Sequence, residues 1–332
     1  TRDEEHSTRG RANALRAAMT GALPVDSLTG ERLYRVMDLC LECKACKAEC
    51  PSNVDMAKLK YEFLDQYHKV NGHSLRDRIF GDIATFSRLG SFFAPVSNWT
   101  MRSKTFRALL EQKIGIDKRR VIPTFAKQTF VQWSRAQRGF HSDVTYRGDV
   151  VLFPDTFTNY NYPEIGRAAT KVLERLGFRV IVPPTKCCGR PMLSKGMMDR
   201  ARLNARANVD AVLPFIKNGA RLVGLEPSCI LTFRDDYVDL LDGDPDVVQV
   251  SQSTMLIEEF FLEAQQHPGS RVELAPIPGI KLVNGHCHQK ALVGMDQTME
   301  LLRSIPECEA IEIQSGCCGM AGSFGFEKEH FD

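Results

Sequence analysis

Apolar residues keep a helical spacing through roughly the first 140 positions of the chain and then change to short, strand-length runs. Residues 11–19 carry Ala and Leu at helical intervals, and residues 55–70 are periodic after the stop at Pro51, which predicts helices on either side of a cysteine-rich loop. From 74 to about 140 the spacing stays helical, with Phe80, Phe86, Phe92, Phe93, Trp99 and Phe106 set among basic side chains and breaks near Pro95 and Pro123. At Asp149 the texture changes. Apolar runs at 150–153, 178–182 and 222–225 alternate with helical patterns at 164–176 and 199–216, as strands joined by helices in a parallel sheet would. Beyond the Pro/Gly-rich stretch 268–279 a second unit repeats the theme with strand 280–283, helix 292–303 and strand 310–313.

A chain of 332 residues has room for two or three domains and a sizeable core without staples. With 43% hydrophobic and 25% charged residues it has a soluble globular composition, and no run approaches the ~18 apolar residues of a membrane span. Forty-three Lys and Arg against 41 Asp and Glu give +2, which argues against a nucleic-acid partner. The balance is locally uneven, because residues 71–147 hold 14 basic and 5 acidic side chains. Eleven cysteines without a secretory segment point to a reducing, cytoplasmic setting in which clustered thiols bind metal rather than pair. The first residue is Thr1 rather than Met, so the expectation is a piece of a longer protein.

Cys40-x2-Cys43-x2-Cys46-x3-Cys50-Pro51 is the ferredoxin-type run for a 4Fe-4S cluster. Three thiolates two residues apart wrap one cube while loop amides turn toward its sulfurs. Zinc competes, but zinc sites use two Cys or His pairs across a longer loop, whereas this run holds four thiols in 11 residues. In two-cluster ferredoxins the fourth Cys of such a run serves the other cluster. Cys40, Cys43 and Cys46 are then expected on one cluster and Cys50 on another whose partner cysteines lie upstream of Thr1; the alternative is one cluster held by all four.

Cys187-Cys188-Gly189 and Cys317-Cys318-Gly319 stand 130 residues apart, each after a strand, as an internal duplication would place them. Neighbours on a strand point to opposite faces, but at a strand-to-loop junction followed by glycine both sulfurs can turn toward one metal. Cys229 and Cys287 follow the strands at 222–225 and 280–283, and the carboxyl ends of parallel strands are where such sheets bind ligands. Cys187, Cys188 and Cys229 are therefore expected to converge in one unit, and Cys287, Cys317 and Cys318 in the other, on a second cluster or zinc. His288 is a further candidate ligand or proton carrier, although a histidine at a strand end is more often a hydrogen-bond partner. Lone Cys308, ahead of a strand, reads as structural. The glycine-rich stretch 316–325 lacks the phosphate-loop ending, and no Ser/His/Asp or paired-carboxylate grouping supports hydrolysis, so no catalytic residue is assigned.

With these motifs the chain resembles the iron-sulfur subunits of glycolate oxidase and anaerobic glycerol-3-phosphate dehydrogenase, and the parts of heterodisulfide reductase that carry the same cysteine-rich domain. It is most similar to the C-terminal part of single-chain FAD-linked D-lactate or D-2-hydroxyglutarate dehydrogenases. Residues 1–11, Glu226-Pro227-Ser228-Cys229 and Gly285-His286-Cys287-His288-Gln289-Lys290 carry that likeness beside the cysteine motifs. It implies an α + α/β fold: a helical ferredoxin-type 4Fe-4S domain at 1–75, a basic helical connector at 76–147, and two duplicated α/β cysteine-rich units with parallel sheets at 148–267 and 268–332.

The resemblance also implies an electron-transfer half. An FAD-binding domain, in the same full-length chain or a partner subunit, would oxidise a 2-hydroxy acid and pass electrons through the clusters to a quinone, a cytochrome or another carrier. The family has a Cys after its first strand and a C-x-x-C after the Cys-Cys pair; Asp155 and Glu226 stand at two of those places here. Both carboxylates thereby become candidate oxygen ligands, and a mixed set suits zinc or a modified cluster as well as an ordinary one. In the second unit the last pair would lie about forty residues past Cys318, so that site is expected to be incomplete in a chain ending 14 residues after it. A heterodisulfide-reductase-like catalyst and a zinc-stabilised scaffold are the competing readings. The connector suits either peripheral docking on an anionic membrane at the inner face of the cell membrane or, more plainly, packing on the FAD domain.

Overall fold

The structure is a computed structural model, and it describes residues 3–137, 143–267 and 272–331. The N-terminal likeness at Thr1 and Arg2, the connector's end near Phe140, the start of the Pro/Gly-rich stretch and the terminal Asp332 lie outside the described residues. Helices Thr8–Met19, Glu31–Asp38 and Met56–Asn71 pack around Leu15, Leu33, Met37, Phe63 and Leu64. Ser7 caps the first through the Gly10 amide, and Asp55 caps the third through the amides of Ala57 and Lys58. Helix Met56–Asn71 has a second buried side: Ala57 and Tyr61 join the core of the α/β unit that follows.

The connector is a chain of short helices, Leu75–Gly81, Ile83–Phe92, Ala94–Arg102, Lys104–Ile114 and Phe130–Ala136. Pro95 lies in the first turn of its helix, where no amide is needed, so the break foreseen there is a helix start. Phe92 and Trp99 are 79% and 75% exposed, and Phe86, Leu89, Phe93 and Val96 join them at helical spacing on an outward face. The last connector helix is anchored by Phe130, fully buried over Gly166, where any Cβ would strike the ring.

Four parallel strands form the main sheet in the order β2-β1-β3-β4: β1 (Gly148–Leu152), β2 (Phe178–Ile181), β3 (Arg221–Gly224) and β4 (Thr254–Leu256). Alternation along β1 sends Val150 and Leu152 to one face, against Leu173, Phe260 and Phe261, and Val151 and Phe153 to the other, against Val209, Ile230 and Phe233. Helices therefore cover both faces, and each fully buried aliphatic side chain contributes about 1.5–3 kcal/mol. A second, two-stranded parallel sheet pairs β5 (Gly279–Val283) with β6 (Cys308–Glu312).

Two expectations need correction. The helix foreseen at 292–303 is two helices, Cys287–Leu292 and Asp296–Ser304, because Gly294 takes a left-handed φ of 76° between them. Cys308 does not precede the strand but begins it, and it packs beside Met295, Met299 and Ala310. Among the described residues no helix is long and apolar enough to cross a membrane.

Candidate metal centres

After helix Glu31–Asp38 the chain turns back on itself through Glu42 and Lys44, whose φ values of 54° and 61° are left-handed and unusual for residues with a Cβ. The turn brings Cys40, Cys43 and Cys46 round one half-buried loop, and the short helix Ala45–Glu49 ends at Cys50. Long-range ion pairs hold this geometry. The Lys44 side chain is wholly buried, with Nζ 2.5 Å from Asp235 Oδ2 and 2.6 Å from Asp236 Oδ1. Lys47 joins Asp235 at 2.5 Å, and Glu42 lies between Lys60 Nζ at 3.2 Å and Arg190 Nη1 at 3.3 Å. Burial pushes the Cys40 and Cys46 thiols up, whereas the amides of Val54, Ser52 and Asn53 turn toward the Cys50 sulfur and pull that thiol down.

At the carboxyl end of the main sheet the structure brings Cys187, Cys188 and Cys229 together. Cys188 and Cys229 are buried with their sulfurs 3.1 Å apart, and Thr156 Oγ1 stands 3.8 Å from Cys187 Sγ. Cys187 and Cys188 follow β2 in a turn closed by Gly189, whose φ of 85° opens helix Arg190–Leu193. Cys229 lies in the first turn of helix Pro227–Arg234. Asp155 and Glu226 cap the helices that start at this rim. Asp155 Oδ1 accepts from the amides of Phe157 and Thr158, and Glu226 Oε2 accepts from the Cys229 amide at 2.6 Å and the Ser228 hydroxyl at 2.7 Å. The other Asp155 oxygen, Oδ2, is buried without a hydrogen-bond partner. Burial, with the Glu226 charge nearby, pushes the Asp155 carboxyl up to about 6.

In the second unit Cys287 opens helix Cys287–Leu292, capped by His286 Nδ1 on the His288 amide at 3.2 Å. That helix packs on helix Ala45–Glu49 of the N-terminal loop. Cys317 and Cys318 are exposed on the turn after β6. Burial, with Cys317 and Cys43 as neighbours, pushes the Cys287 thiol up to about 11, so this group faces the N-terminal loop rather than standing apart. His288 is buried, with Nε2 2.9 Å from the Glu42 carbonyl oxygen, and burial holds its ring well below the usual imidazole range. The structure thus gives His288 a hydrogen bond across the junction.

Among the described residues no three His, Cys, Asp or Glu side chains are gathered as closely as a single metal ion requires. The donor chemistry nevertheless fits an iron-sulfur cluster at the N-terminal loop, where four thiols surround a turn and three amides are directed at one sulfur. The sulfurs of Cys187, Cys188 and Cys229 with the orphaned Asp155 oxygen suit a metal of thiolate preference. Lys44, Arg190, Asp235 and Asp236 were missed from the sequence. The one available signal was a doublet of acids and an Arg directly after a Cys-Cys-Gly turn.

Residues 151–234 and 285–332 match the cysteine-rich domain family, and residues 1–55 match the 4Fe-4S dicluster domain. The chain is 30% identical to a component of the anaerobic glycerol-3-phosphate dehydrogenase of Escherichia coli over 78% of its own length and 64% of that protein. It is 26% identical to D-2-hydroxyglutarate dehydrogenase of Pseudomonas putida over 99% of its length and 36% of that protein. Against a probable glycolate oxidase iron-sulfur subunit of Bacillus subtilis it is 24% identical over 97% of its length and 74% of that protein. The chain therefore spans less than two thirds of the first two relatives. No solved structure matches it.

Proposed function

We propose, with the 4Fe-4S dicluster domain and the cysteine-rich domain of this chain as premise, that it is the electron-transfer module of a flavin-linked 2-hydroxy-acid dehydrogenase or oxidase. The observation that carries this is the run Cys40, Cys43, Cys46 and Cys50 on a loop pinned by buried charges. A bound cluster supplies one-electron storage. Around it Cys40, Cys43 and Cys46 act as thiolate ligands, the amides of Ser52, Asn53 and Val54 lower the charge burden at Cys50, and Lys44 fixes the turn.

Cys187, Cys188 and Cys229, with Asp155 and Glu226 at their rim, form the second metal centre of the proposal, and Cys287, Cys317 and Cys318 a third, next to Cys43. Cys50 serves the other cluster of the dicluster domain. The bounds 1–75, 76–147, 148–267 and 268–332 are the working divisions, the last two arising by duplication. FAD belongs to the partner domain that feeds electrons in, and a quinone or cytochrome takes them away. The outward connector face with Phe92 and Trp99 is where the flavin-bearing partner docks in the cytoplasm. Flotation with anionic vesicles would move that face to the inner surface of the membrane instead.

The test is anaerobic purification of the protein. Broad absorption near 400 nm that bleaches with dithionite, and that disappears in Cys43→Ser, is the expected result. A colourless protein containing only zinc overturns the reading in favour of a scaffold. If Cys187→Ser and Cys188→Ser abolish a disulfide reductase activity rather than slow electron flow from added flavoprotein, the function is that of a heterodisulfide-type catalyst.

A further inference from the structure

Arg190 directly follows Cys187-Cys188-Gly189 and opens helix Arg190–Leu193, so its backbone is tied to the first Cys-Cys-Gly turn. Its side chain leaves that turn and enters the junction of the three units, where only 14% of it is exposed. Nη1 stands 3.3 Å from Glu42 Oε2, on the N-terminal loop between Cys40 and Cys43. Nη2 stands 3.5 Å from His288 Nε2, one residue past Cys287. The ring of Tyr61 faces the guanidinium carbon at 5.7 Å, and Nε is buried without a hydrogen-bond partner. One guanidinium therefore reaches the immediate neighbourhood of three separate groups of sulfur atoms.

The charge balance at Glu42 itself is positive. Glu42 is shared between Arg190 and Lys60, so two cations meet a single carboxylate. Lys44 is occupied by Asp235 and Asp236. A positive charge held out of water favours whichever neighbouring state is more negative. A cluster that accepts an electron becomes more negative by one unit, and net local charge is one of the terms that set its potential.

We propose that Arg190 is a redox-positioning residue, whose guanidinium holds the N-terminal cysteine loop, the first Cys-Cys-Gly turn and the Cys287 turn in register and keeps the reduction potential at the N-terminal loop high. The proposal rests on the electron-transfer reading given above. The step it governs is the passage of one electron, supplied by the flavin-bearing partner, with no bond made or broken at Arg190. Arg190 touches no reacting atom; it acts through Glu42 and through its own charge.

The experiment is a potentiometric titration of the reduced-cluster electron paramagnetic resonance signal in the full-length protein, with iron measured alongside. In Arg190→Gln the midpoint is expected to fall, with the reduced-to-oxidised ratio at a fixed potential about tenfold lower, equivalent to about 59 mV for one electron. Arg190→Lys, which keeps the charge, is expected to restore most of the shift at unchanged iron content. Equal shifts in both variants, or none in either, overturn the proposal. If Arg190→Gln fails to retain iron, Glu42→Gln decides: loss of the carboxylate must raise the midpoint, and an unchanged or lower value overturns it. Iron-free unsubstituted protein would remove the electron-transfer reading as well, whereas iron with an Arg190-independent midpoint removes this proposal alone.

Discussion

Asp155 shows how one side chain can serve two demands. Its Oδ1 caps helix Thr156–Tyr160, while Oδ2 is held buried and unpartnered beside the thiols, and the fold reveals both. The two duties separate by mutation. Asp155→Asn keeps a capping oxygen and should leave denaturant stability nearly unchanged while lowering the metal retained at Cys187, Cys188 and Cys229. Asp155→Ala should lose the metal and also about 0.5–2 kcal/mol of stability, read by urea unfolding. The thiols of the Cys40–Cys50 run and of the two Cys-Cys pairs were legible because their spacing is local in the chain, and Cys229 and Cys287 through their place after strands. Lys44 was not, since a basic residue in a loop has no pattern until its partners are known, and Arg190 offered only its place after a Cys-Cys-Gly turn.

Elements were legible where their apolar period was long, as in helices Met56–Asn71 and Met198–Lys217. Strand β4 was missed because three residues, Thr254–Leu256, are too few to alternate. The break in the second unit was missed for a different reason, a single glycine whose φ sign the sequence does not display. Gly294→Ala has free space for its methyl group, so its cost is conformational: about 1–2 kcal/mol, measurable as a lower urea midpoint. The loop between helices Glu31–Asp38 and Met56–Asn71 depends on Lys44 in the same way. Lys44→Met leaves Asp236 buried without its cation and should destabilise the protein by about 3–5 kcal/mol, together with loss of iron from the loop. Replacing Lys44 and Asp236 together by apolar residues should recover part of the stability, and no recovery would mean that the pair is not coupled.

At the scale of the whole molecule the units are joined through carboxylates. Burial opposes ionisation of Asp235 and Asp77, yet Lys44 with its neighbouring lysines holds Asp235 low, and Lys195 holds Asp77 low. Such a depressed group stabilises the folded state above the ordinary carboxylate value of about 3.9, and that contribution is lost as pH falls through the lower folded value. Asp236 moves the other way, raised by burial, so it takes up its proton first on acidification. Below about pH 4 the N-terminal unit should therefore loosen from the main sheet, seen as faster hydrogen exchange in residues 40–60 than in β1 and β3; uniform exchange would contradict this. The alternation of strands and helices announced a parallel sheet, but the junction between units could not be read, because it is written in charges far apart in sequence. That distance bears on biosynthesis. The lysine that shapes the first cysteine loop meets an aspartate 191 residues later. At about 5–20 residues per second of translation, that loop emerges from the ribosome on the order of ten to forty seconds before its clasp. Cofactor loading would then follow synthesis of the main sheet rather than accompany the nascent N-terminus.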